Sequence, residues 1–223
     1  MCKRIVCSSD RTAIAARFSV RSKPEADALA NFLPRWNIAA RDTMPVIRLG
    51  ENHRRELVML RWGFELDHHL LGQGDGPVSV TALNLRRAVL LDDLFPTNRC
   101  IVSVDAFYAG PAMQTRGGRT WAFALEDSSI MGIAALWLKH PDGSDRVAFI
   151  TTGPNESLAL IDETMPAILY REDERAWLSA STNPYYAFNL IMPYPAEMMR
   201  GWPVAKVDGA ERQDGPELLR RVA

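Results

Sequence analysis

The sequence has no apolar run long enough to cross a membrane, because charged residues interrupt every hydrophobic stretch in its 223 residues. A membrane-spanning helix needs about 20 consecutive, mostly apolar residues. The first residues, which include Lys3 and Arg4, also lack the apolar core of a secretory signal. We therefore expect a cytoplasmic protein that does not use a membrane as a partner.

Cysteine and histidine are both scarce. Cys2, Cys7 and Cys100 are an odd set without a Cys-x-x-Cys pair, which argues against a disulfide framework and against a thiolate zinc site. The adjacent His68 and His69 cannot share one helical face. No metal or other cofactor is expected. Cys7 and Cys100 have apolar neighbours and are predicted to be core residues.

The chain as a whole has almost no net charge, but its two halves differ in their balance of basic and acidic residues. The 26 Lys and Arg nearly balance the 27 Asp and Glu, for a net charge of -1. Residues 1–120 hold 17 basic and 12 acidic residues, and residues 121–223 hold 9 and 15. A basic face in the N-terminal half would suit phosphates, although charges scattered over a solvated surface would give the same counts.

The sequence also lacks a regular alternation of strand and helix, which argues against a doubly wound parallel sheet. Runs rich in β-branched and aromatic residues predict strands instead. They cover residues 56–64, 100–108, 120–125, 130–138, 146–152 and 167–170. We expect an α+β fold, with one domain over residues 1–223, a strongly bent and barrel-like mixed β-sheet, and peripheral helices.

Turn and helix signals complete this prediction. The segment Pro141-Asp142-Gly143 is typical of a hairpin between two of the strands. A helix is predicted to have Pro24 in its first turn and Leu33 on its core side, and a second helix is predicted over 172–179.

Cys2 is the residue whose position points most directly to chemistry. Removal of Met1 would leave an α-amine and a thiol on the same residue. The thiolate is a nucleophile, and an α-amine with a pKa of about 8 forms imines more readily than a lysine does. Together the two groups condense with an aldehyde to a thiazolidine ring. The alternative is an incidental residue on a frayed terminus.

Other polar and aromatic residues are open to two interpretations each. Asn84 and Arg86 lie two positions apart, so on a strand they would point to the same side and suit a phosphate or sugar, although a plain surface position fits equally well. Trp62 suits base stacking or core packing. Asp162 beside Glu163 suits a paired-carboxylate site or the end of a turn.

Several segments carry a family pattern in their order and spacing. The pattern opens with Met1-Cys2-Lys3-Arg4, then Trp36-Asn37-Ile38-Ala39-Ala40, Leu60-Arg61-Trp62-Gly63-Phe64, the run from Arg99 to Tyr108, Met165-Pro166-Ala167 and Pro193-Tyr194-Pro195. In this order the segments resemble the SOS response-associated peptidase (SRAP) family over nearly the whole chain. The corresponding family motifs begin with Met-Cys-Gly-Arg, Tyr-Asn-Ile-Ala-Pro and Arg-Trp-Gly-Leu.

The resemblance implies an α+β protein with a positively charged cleft for single-stranded DNA, and we expect the protein to be a monomer. It implies that Cys2 becomes the N-terminus, attacks the open-ring aldehyde of an abasic site and ends as a thiazolidine crosslink. Asn84 would orient the sugar or the amine. The residues that we expect in DNA contact are Arg4, Asn37, Trp62 and Arg86.

The chain departs from the family pattern at positions that matter for catalysis. Ala109 stands where the family has its glutamate, and Asp162 stands where it has its histidine. Lys3 replaces the glycine after the cysteine. The asparagine of the family's Ile-Asn-Ala-Arg motif falls on Asn84 if a gap is allowed, and on Ser79 without one.

These departures leave three hypotheses. Loss of a general acid or base lowers a rate by about 10²- to 10⁴-fold, whereas amine attack on an aldehyde is intrinsically easy. We therefore expect slow crosslinking through Cys2, with Asp162 taking part of the acid role. The alternative is a binding module that recognises DNA or a protein partner without covalent chemistry. A thiol peptidase is less favoured, since no histidine is matched to act with Cys2.

Overall fold

The structure is a computed structural model that describes residues 4–21, 32–64, 79–83, 95–110, 118–207 and 213–222. Its strands are β1 (Arg4–Cys7), β2 (Arg35–Ala39), β3 (Thr43–Leu49), β4 (Arg55–Trp62), β5 (Ser79–Thr81), β6 (Arg99–Val104), β7 (Ala106–Ala109), β8 (Thr120–Leu125), β9 (Met131–Lys139), β10 (Asp145–Thr152), β11 (Met165–Pro166), β12 (Ile168–Leu169) and β13 (Met199–Val204). The helices include α1 (Arg11–Arg17), α2 (Glu174–Leu178) and α3 (Pro184–Asn189), and two short 3-10 helices, η1 (Ala196–Met198) and η2 (Pro216–Leu219).

Five strands of the larger sheet close into a barrel. The antiparallel pairs β4–β3, β3–β6, β6–β9 and β9–β10 form most of the circuit. β10 then pairs in parallel with β4, where Arg61 lies opposite Arg146 and Trp62 lies opposite Val147. Such a mixed, closed sheet leaves no open edge within the circuit. It confirms the predicted α+β fold with a strongly bent, barrel-like sheet.

A second, antiparallel sheet packs beside the barrel in the order β13-β8-β7-β1-β2. Its inward side chains join the main hydrophobic core, and the rings of Phe107 and Phe123 stack with centroids 5.5 Å apart. Its other face carries a smaller apolar cluster that includes Val6, Tyr108 and Leu218. The C-terminal residues that contain η2 therefore cover the outer face of this sheet.

The chain passes from the barrel to the second sheet at Asp105, between β6 and β7. The Asp105 carboxylate accepts hydrogen bonds from the backbone N–H groups of Ser8 and Ser9 and from the Ser9 hydroxyl. Asp10 then caps α1 by accepting from the backbone N–H of Ala13 at 2.8 Å. Asp105 thus fixes the turn that joins β1 to α1.

Helix α2 is attached to the barrel by buried hydrogen bonds. The Trp177 indole donates to the Cys100 carbonyl at 2.8 Å. The Arg99 guanidinium donates to the carbonyls of Phe95, Trp177 and Ser179, and burial lowers the pKa of Arg99 to about 10. These bonds hold the helix against β6 through a charge-assisted network.

Cys7 and Cys100 are core residues, as predicted, with 1% and 0% of their surface exposed. The Cys7 thiol lies 3.3 Å from the Ser103 carbonyl. Burial raises the pKa of both thiols well above the ordinary value, and Asp105 raises that of Cys7 further. Because the thiolate is the reactive form, neither residue is a nucleophile at neutral pH.

The structure confirms most of the predicted strands and extends the list. The predicted run 100–108 is divided between β6 and β7 at Asp105, and the hairpin at Gly143 joins β9 to β10 with φ +84°. Strands β1, β2, β3, β5, β11 and β13 and helices α1 and α3 were not predicted. No helix in the described ranges is long and apolar enough to span a membrane.

The predicted helix near Pro24 lies mostly outside the described residues. Phe32, at its end, is partly buried against the core. Leu33 is 70% exposed, so its predicted place on the core side is wrong. Leu33 directly precedes Pro34, which disfavours a helical conformation for it, and both lie in the connection that leads into β2.

Candidate functional site

The N-terminal end of β1 lies between two neighbouring strands. Arg4, its first residue, is opposite Ala39 of β2 on one side and Tyr108 of β7 on the other. The backbone of Arg4 is therefore held from both sides, two residues after Cys2. Cys2 itself lies outside the described residues.

Arg4 and Asn37, both predicted to contact DNA, lie together. The Arg4 guanidinium donates a hydrogen bond to the Asn37 side-chain oxygen at 2.5 Å. The Asn37 amide nitrogen donates to the backbone carbonyl of Gln213 at 2.9 Å, and only 7% of Asn37 is exposed. Both ends of the amide are thus engaged, so Asn37 orients Arg4 rather than reaching into solvent.

Tyr108 supports the same end of the sheet. Its hydroxyl donates to the Trp36 carbonyl at 2.9 Å. Burial raises the pKa of Tyr108 well above its usual range, the charge of Asp214 raises it further, and the charge of Arg4 opposes them. The hydroxyl therefore stays protonated and keeps donating to Trp36 at neutral pH.

Asp214 brings the C-terminal segment onto β2. Its carboxylate accepts from the Arg35 guanidinium at 2.7 Å and from the backbone N–H groups of Trp36 and Asn37. Arg35 also pairs with Asp42 at 3.1 Å. Burial lowers the pKa of Arg35, but the bonds and charges of Asp214 and Asp42 outweigh burial and raise it overall. Two carboxylates thus offset the charge of Arg35.

Ala109 occupies the next position of β7, directly after Tyr108. It is 4% exposed, belongs to the main core and lies opposite Trp121 of β8. Because alternate residues of a strand face opposite sides, Ala109 faces the main core while Tyr108 faces the smaller cluster. No carboxylate is available from position 109 near the N-terminal end of β1.

Asp162 lies in the turn that precedes β11 and is 6% exposed. Its carboxylate accepts from the backbone N–H of Thr164 at 3.3 Å, and its own N–H donates to the Leu158 carbonyl. β11 starts at Met165, which lies opposite Thr152 at the end of β10. Asp162 is therefore a buried carboxylate near the C-terminal end of β10.

The topology brings a second predicted segment to this end of β10. β5 pairs in parallel with β10, and its last residue, Thr81, lies opposite Thr151. The chain that continues from β5 toward Asn84 and Arg86 therefore leaves the sheet at the same end of β10 as the Asp162 turn. Asn84 and Arg86 themselves lie outside the described residues.

Trp62 is not available as a base-stacking platform. It is fully buried, and its ring lies 4.6 Å from that of Phe149, tilted by 34°. Its backbone N–H and carbonyl bond to Asp42 and Arg41 in the turn between β2 and β3. The stacking role proposed from sequence is therefore corrected: Trp62 packs in the core and supports the turn beside β2.

Three residues of this site were missed by the sequence analysis: Tyr108, Arg35 and Asp214. Tyr108 lies in the run that resembles the family, which was a usable signal, and Arg35 lies two positions before Asn37 on the same strand. Asp214 is contributed from 177 residues further along the chain, and no local pattern marks it. In the part of the chain that the structure describes, no group of three or more His, Cys, Asp or Glu is placed to hold a metal ion.

Comparisons with known proteins place the chain among relatives of similar length. A family model described as SOS response associated peptidase (SRAP) matches residues 1–208. The chain is 28% identical over 230 aligned positions to the abasic site processing protein YoqW of Bacillus subtilis (strain 168), covering 98% of this chain and 99% of that protein. It is 26% identical to the abasic site processing protein YoaM of the same organism, covering 84% and 85%.

Solved structures show the same fold. A protein from Bacteroides thetaiotaomicron superposes with a TM-score of 0.81 over the whole of both chains, at 18% sequence identity. A phage-related protein from Bordetella bronchiseptica superposes with a TM-score of 0.72, covering 92% of this chain and 95% of that one, at 17% identity. At these identities the likeness concerns the fold alone.

Proposed function

The chain belongs to the SOS response associated peptidase (SRAP) family, and we propose on that basis that it binds single-stranded DNA and crosslinks to abasic sites through Cys2. The observation that carries the proposal is a family match that begins at residue 1 and includes Cys2. The curated relatives, which match over 85% to 99% of their own length, are named as abasic site processing proteins. The crosslink requires that Met1 be removed.

The proposed reaction joins both groups of Cys2 to one carbon of the DNA. The α-amine adds to the open-ring aldehyde and one water leaves, which gives an imine. The Cys2 sulfur then adds to the imine carbon, its proton passes to the nitrogen, and the thiazolidine ring closes. The net change is loss of one water, so the step needs neither an oxidant nor a cofactor.

Burial of the other two thiols supports this assignment to Cys2. Cys7 and Cys100 are buried with raised pKa values, so they offer no thiolate to a DNA aldehyde. Two peptide units separate Cys2 from Arg4, and covalent geometry keeps their Cα atoms within about 7 Å of each other. The terminal nucleophile thus belongs to the same end of β1 as the Arg4–Asn37 pair.

The role proposed for Arg4 follows from its contact at this end of the sheet, and the roles of Asn84, Arg86 and Asp162 follow from the family pattern. Arg4, oriented by Asn37, contacts a DNA phosphate, which a guanidinium binds through charge-assisted hydrogen bonds. Asn84 orients the sugar or the amine, and Arg86 contacts the backbone. Asp162, a buried carboxylate at the position of the family's histidine, supplies part of the acid function.

A crosslinking assay tests the proposal. Protein whose intact mass shows removal of Met1 is incubated with end-labelled single-stranded DNA that carries one abasic site. We expect a heat-stable shifted band on a denaturing gel that accumulates slowly, since Ala109 and Asp162 replace the family's glutamate and histidine. Undamaged DNA of the same sequence is the control. Absence of the band after complete Met1 removal refutes the crosslinking proposal.

A second candidate, a binding module without covalent chemistry, is favoured by the same two replacements. Ala109 offers no carboxylate, and Asp162 is not an imidazole. In this case undamaged single-stranded DNA binds reversibly, binding weakens as salt rises, and Cys2→Ala changes nothing. A fluorescence titration with undamaged DNA, run beside the crosslinking assay, separates the two candidates.

The Arg4–Asn37 pair gives a graded prediction for DNA affinity. Arg4→Ala should weaken binding of undamaged single-stranded DNA about five- to tenfold and reduce the salt slope by about 0.7, the value for one phosphate contact. Asn37→Ala keeps the charge of Arg4 but removes the acceptor that orients it, so affinity should fall less and the salt slope should stay.

Fluorescence titrations over a salt series measure both effects. Lys139→Ala, which removes an exposed cation at the end of β9, is the control and should leave affinity unchanged. Equal losses from Lys139→Ala and Arg4→Ala would mean that the chain responds to total charge rather than to a phosphate contact at β1.

A further inference from the structure

An open cavity of about 650 Å³ lies away from the end of β1. It is formed by the end of β8 and the turn after it, the start of β9, the end of β12 with the residues that follow it, and Tyr194, Glu197 and Met198. Apolar side chains make up much of its wall: Leu125, Met131, Leu169 and Met198. None of Arg4, Asn37 and Asp162 is among its described lining residues, so the cavity is separate from the proposed DNA site.

Tyr194 is the polar group buried in this wall. It is 6% exposed, and its ring lies 5.1 Å from that of Tyr170, tilted by 35°. Within the described residues its hydroxyl makes no hydrogen bond, although the backbone carbonyl of Tyr194 accepts one from Asn155. Because Tyr194 lines this open cavity, a hydrogen-bond donor in the cavity can bond to its hydroxyl oxygen.

The mouth of the cavity is negatively charged. Among the described lining residues the carboxylates are Glu126, Asp127, Glu172 and Glu197, all exposed, and the guanidinium groups are Arg17 and Arg171. Arg17 is already bound to the buried Glu174 at 2.7 Å. The carboxylates therefore outnumber the remaining cation, and this surface repels the phosphates of DNA.

The acidic residues of the cavity also affect the pKa of Tyr194. Burial raises the pKa of Tyr194, and Tyr170, Asp127 and Glu172 raise it further, while Arg17 opposes them. The hydroxyl is thus a neutral group that faces acidic residues of the cavity. A cation with several N–H donors would bond to its oxygen and to the carboxylates at once.

We propose that this cavity binds an arginine side chain carried on a basic peptide segment of a partner protein. The aliphatic stem packs on Leu125 and Met198, and the planar guanidinium lies against the ring of Tyr170 and donates to Tyr194. The carboxylates come from three separate chain segments, 126–127, 172 and 197. They are spread around the mouth, where they bind the basic residues that flank the arginine.

Peptide binding tests the proposal with the full chain. The probe is a fluorescein-labelled Gly-Lys-Gly-Arg-Gly-Lys-Gly peptide, titrated by fluorescence anisotropy at about 50 and 300 mM salt. We expect saturable binding that weakens at the higher salt. Replacement of the arginine of the peptide by lysine should weaken binding at least about fivefold, because an ammonium group cannot stack and donate in one plane.

Two variants and one control locate the site. Tyr194→Phe keeps the ring and removes only the hydroxyl, so it should weaken peptide binding about tenfold and leave the melting temperature unchanged or higher. Glu172→Gln should weaken binding and reduce its salt dependence. Glu156→Gln makes the same change of net charge at an exposed turn outside the cavity, and it should bind like the unmodified chain.

Several results would overturn the proposal. They are the absence of saturable binding at millimolar peptide, undiminished binding by Tyr194→Phe, and an equal loss from Glu156→Gln. Competition by free arginine amide as effective as that by the peptide would identify a small cation as the ligand instead. Competition by single-stranded DNA would place the peptide on the DNA site. The crosslinking assay does not depend on any of these outcomes.

Discussion

Cys2→Ala is expected to form no heat-stable crosslink with abasic single-stranded DNA, leaving only the background given by undamaged DNA. The variant keeps a free α-amine, so an imine can still form, but no sulfur is present to close the ring. An imine without ring closure hydrolyses during denaturation. Cys7 and Cys100 cannot substitute, because both are buried with raised pKa values.

An N-terminal extension should have the same effect for the opposite reason. A protein that keeps Met1, or has one extra residue before Cys2, keeps the thiol but turns the amine into an amide. Ring closure needs the amine and the thiol on adjacent carbons of one residue, so the stable crosslink should be lost as completely as in Cys2→Ala. Binding of undamaged DNA should persist in both proteins, which shows that they are folded.

Cys2→Ser separates the two chemical steps. The hydroxyl is a poor nucleophile for ring closure, so the adduct should stop at the imine and become stable only after reduction with borohydride. Denaturing gels with and without borohydride measure this difference. A stable adduct without reduction, from Cys2→Ser or from the extended protein, would mean that another nucleophile is responsible.

The buried strands were predictable because their patterns are local. The runs that became β8, β9 and β10 are mostly apolar, β-branched or aromatic, with charged residues only at their ends, which is typical of strands buried on both faces. Strands β1 and β2 are shorter and carry Arg4, Arg35 and Asn37. Their polar residues conceal the pattern, and only the order of the family segments pointed to them.

Closure of the barrel could not be predicted from local sequence. It depends on β4 lying parallel to β10, where Arg61 meets Arg146 across 85 positions. This pairing determines which side of the sheet a residue faces. Without it, the sequence could not decide whether Trp62 stacks on a DNA base or packs in the core. In the structure Trp62 packs in the core, because β10 places Phe149 against the Trp62 ring.

In the candidate site, too, individual residues could be predicted from the sequence but the contacts between them could not. Arg4 and Asn37 were identified from the family pattern, but their hydrogen bond required β1 and β2 to be paired. The contribution of Gln213 and Asp214 comes from residues beyond the family match at 1–208. Contacts made by such a distant segment depend on the packing of the C-terminal residues over the outer face of the sheet, which no short motif encodes.

The buried carboxylate of Glu174 carries the prediction with the largest expected effect on stability. Glu174 is 2% exposed and begins α2. It accepts from both terminal nitrogens of Arg17 at 3.2 and 2.7 Å, and Arg55 approaches it within 3.8 Å. Gly132 of β9 makes room for it, since a Cβ there would lie 3.0 Å from the carboxylate. One side chain thus joins α1, β4 and α2 beside the barrel.

Glu174→Gln should destabilise the protein by about 3–5 kcal/mol, because the variant leaves Arg17 buried without a countercharge. Arg17 is itself fixed by a bond from its Nε to the Ile130 carbonyl and is 9% exposed, so it cannot move easily into water. For a chain of this length the loss corresponds to a fall in Tm of about 6–20 °C. Urea unfolding followed by tryptophan fluorescence measures the free energy directly.

A matched control and a double variant test the cause of this loss. Glu156→Gln makes the same chemical change at an exposed turn and should alter stability by less than about 0.5 kcal/mol. Adding Arg17→Met to Glu174→Gln removes the stranded charge and should restore part of the stability, which a double-mutant cycle reports as a coupling of about 1 kcal/mol or more. A loss below about 1 kcal/mol in Glu174→Gln alone would show that water reaches Arg17, and that the ion pair does not hold α1 to α2.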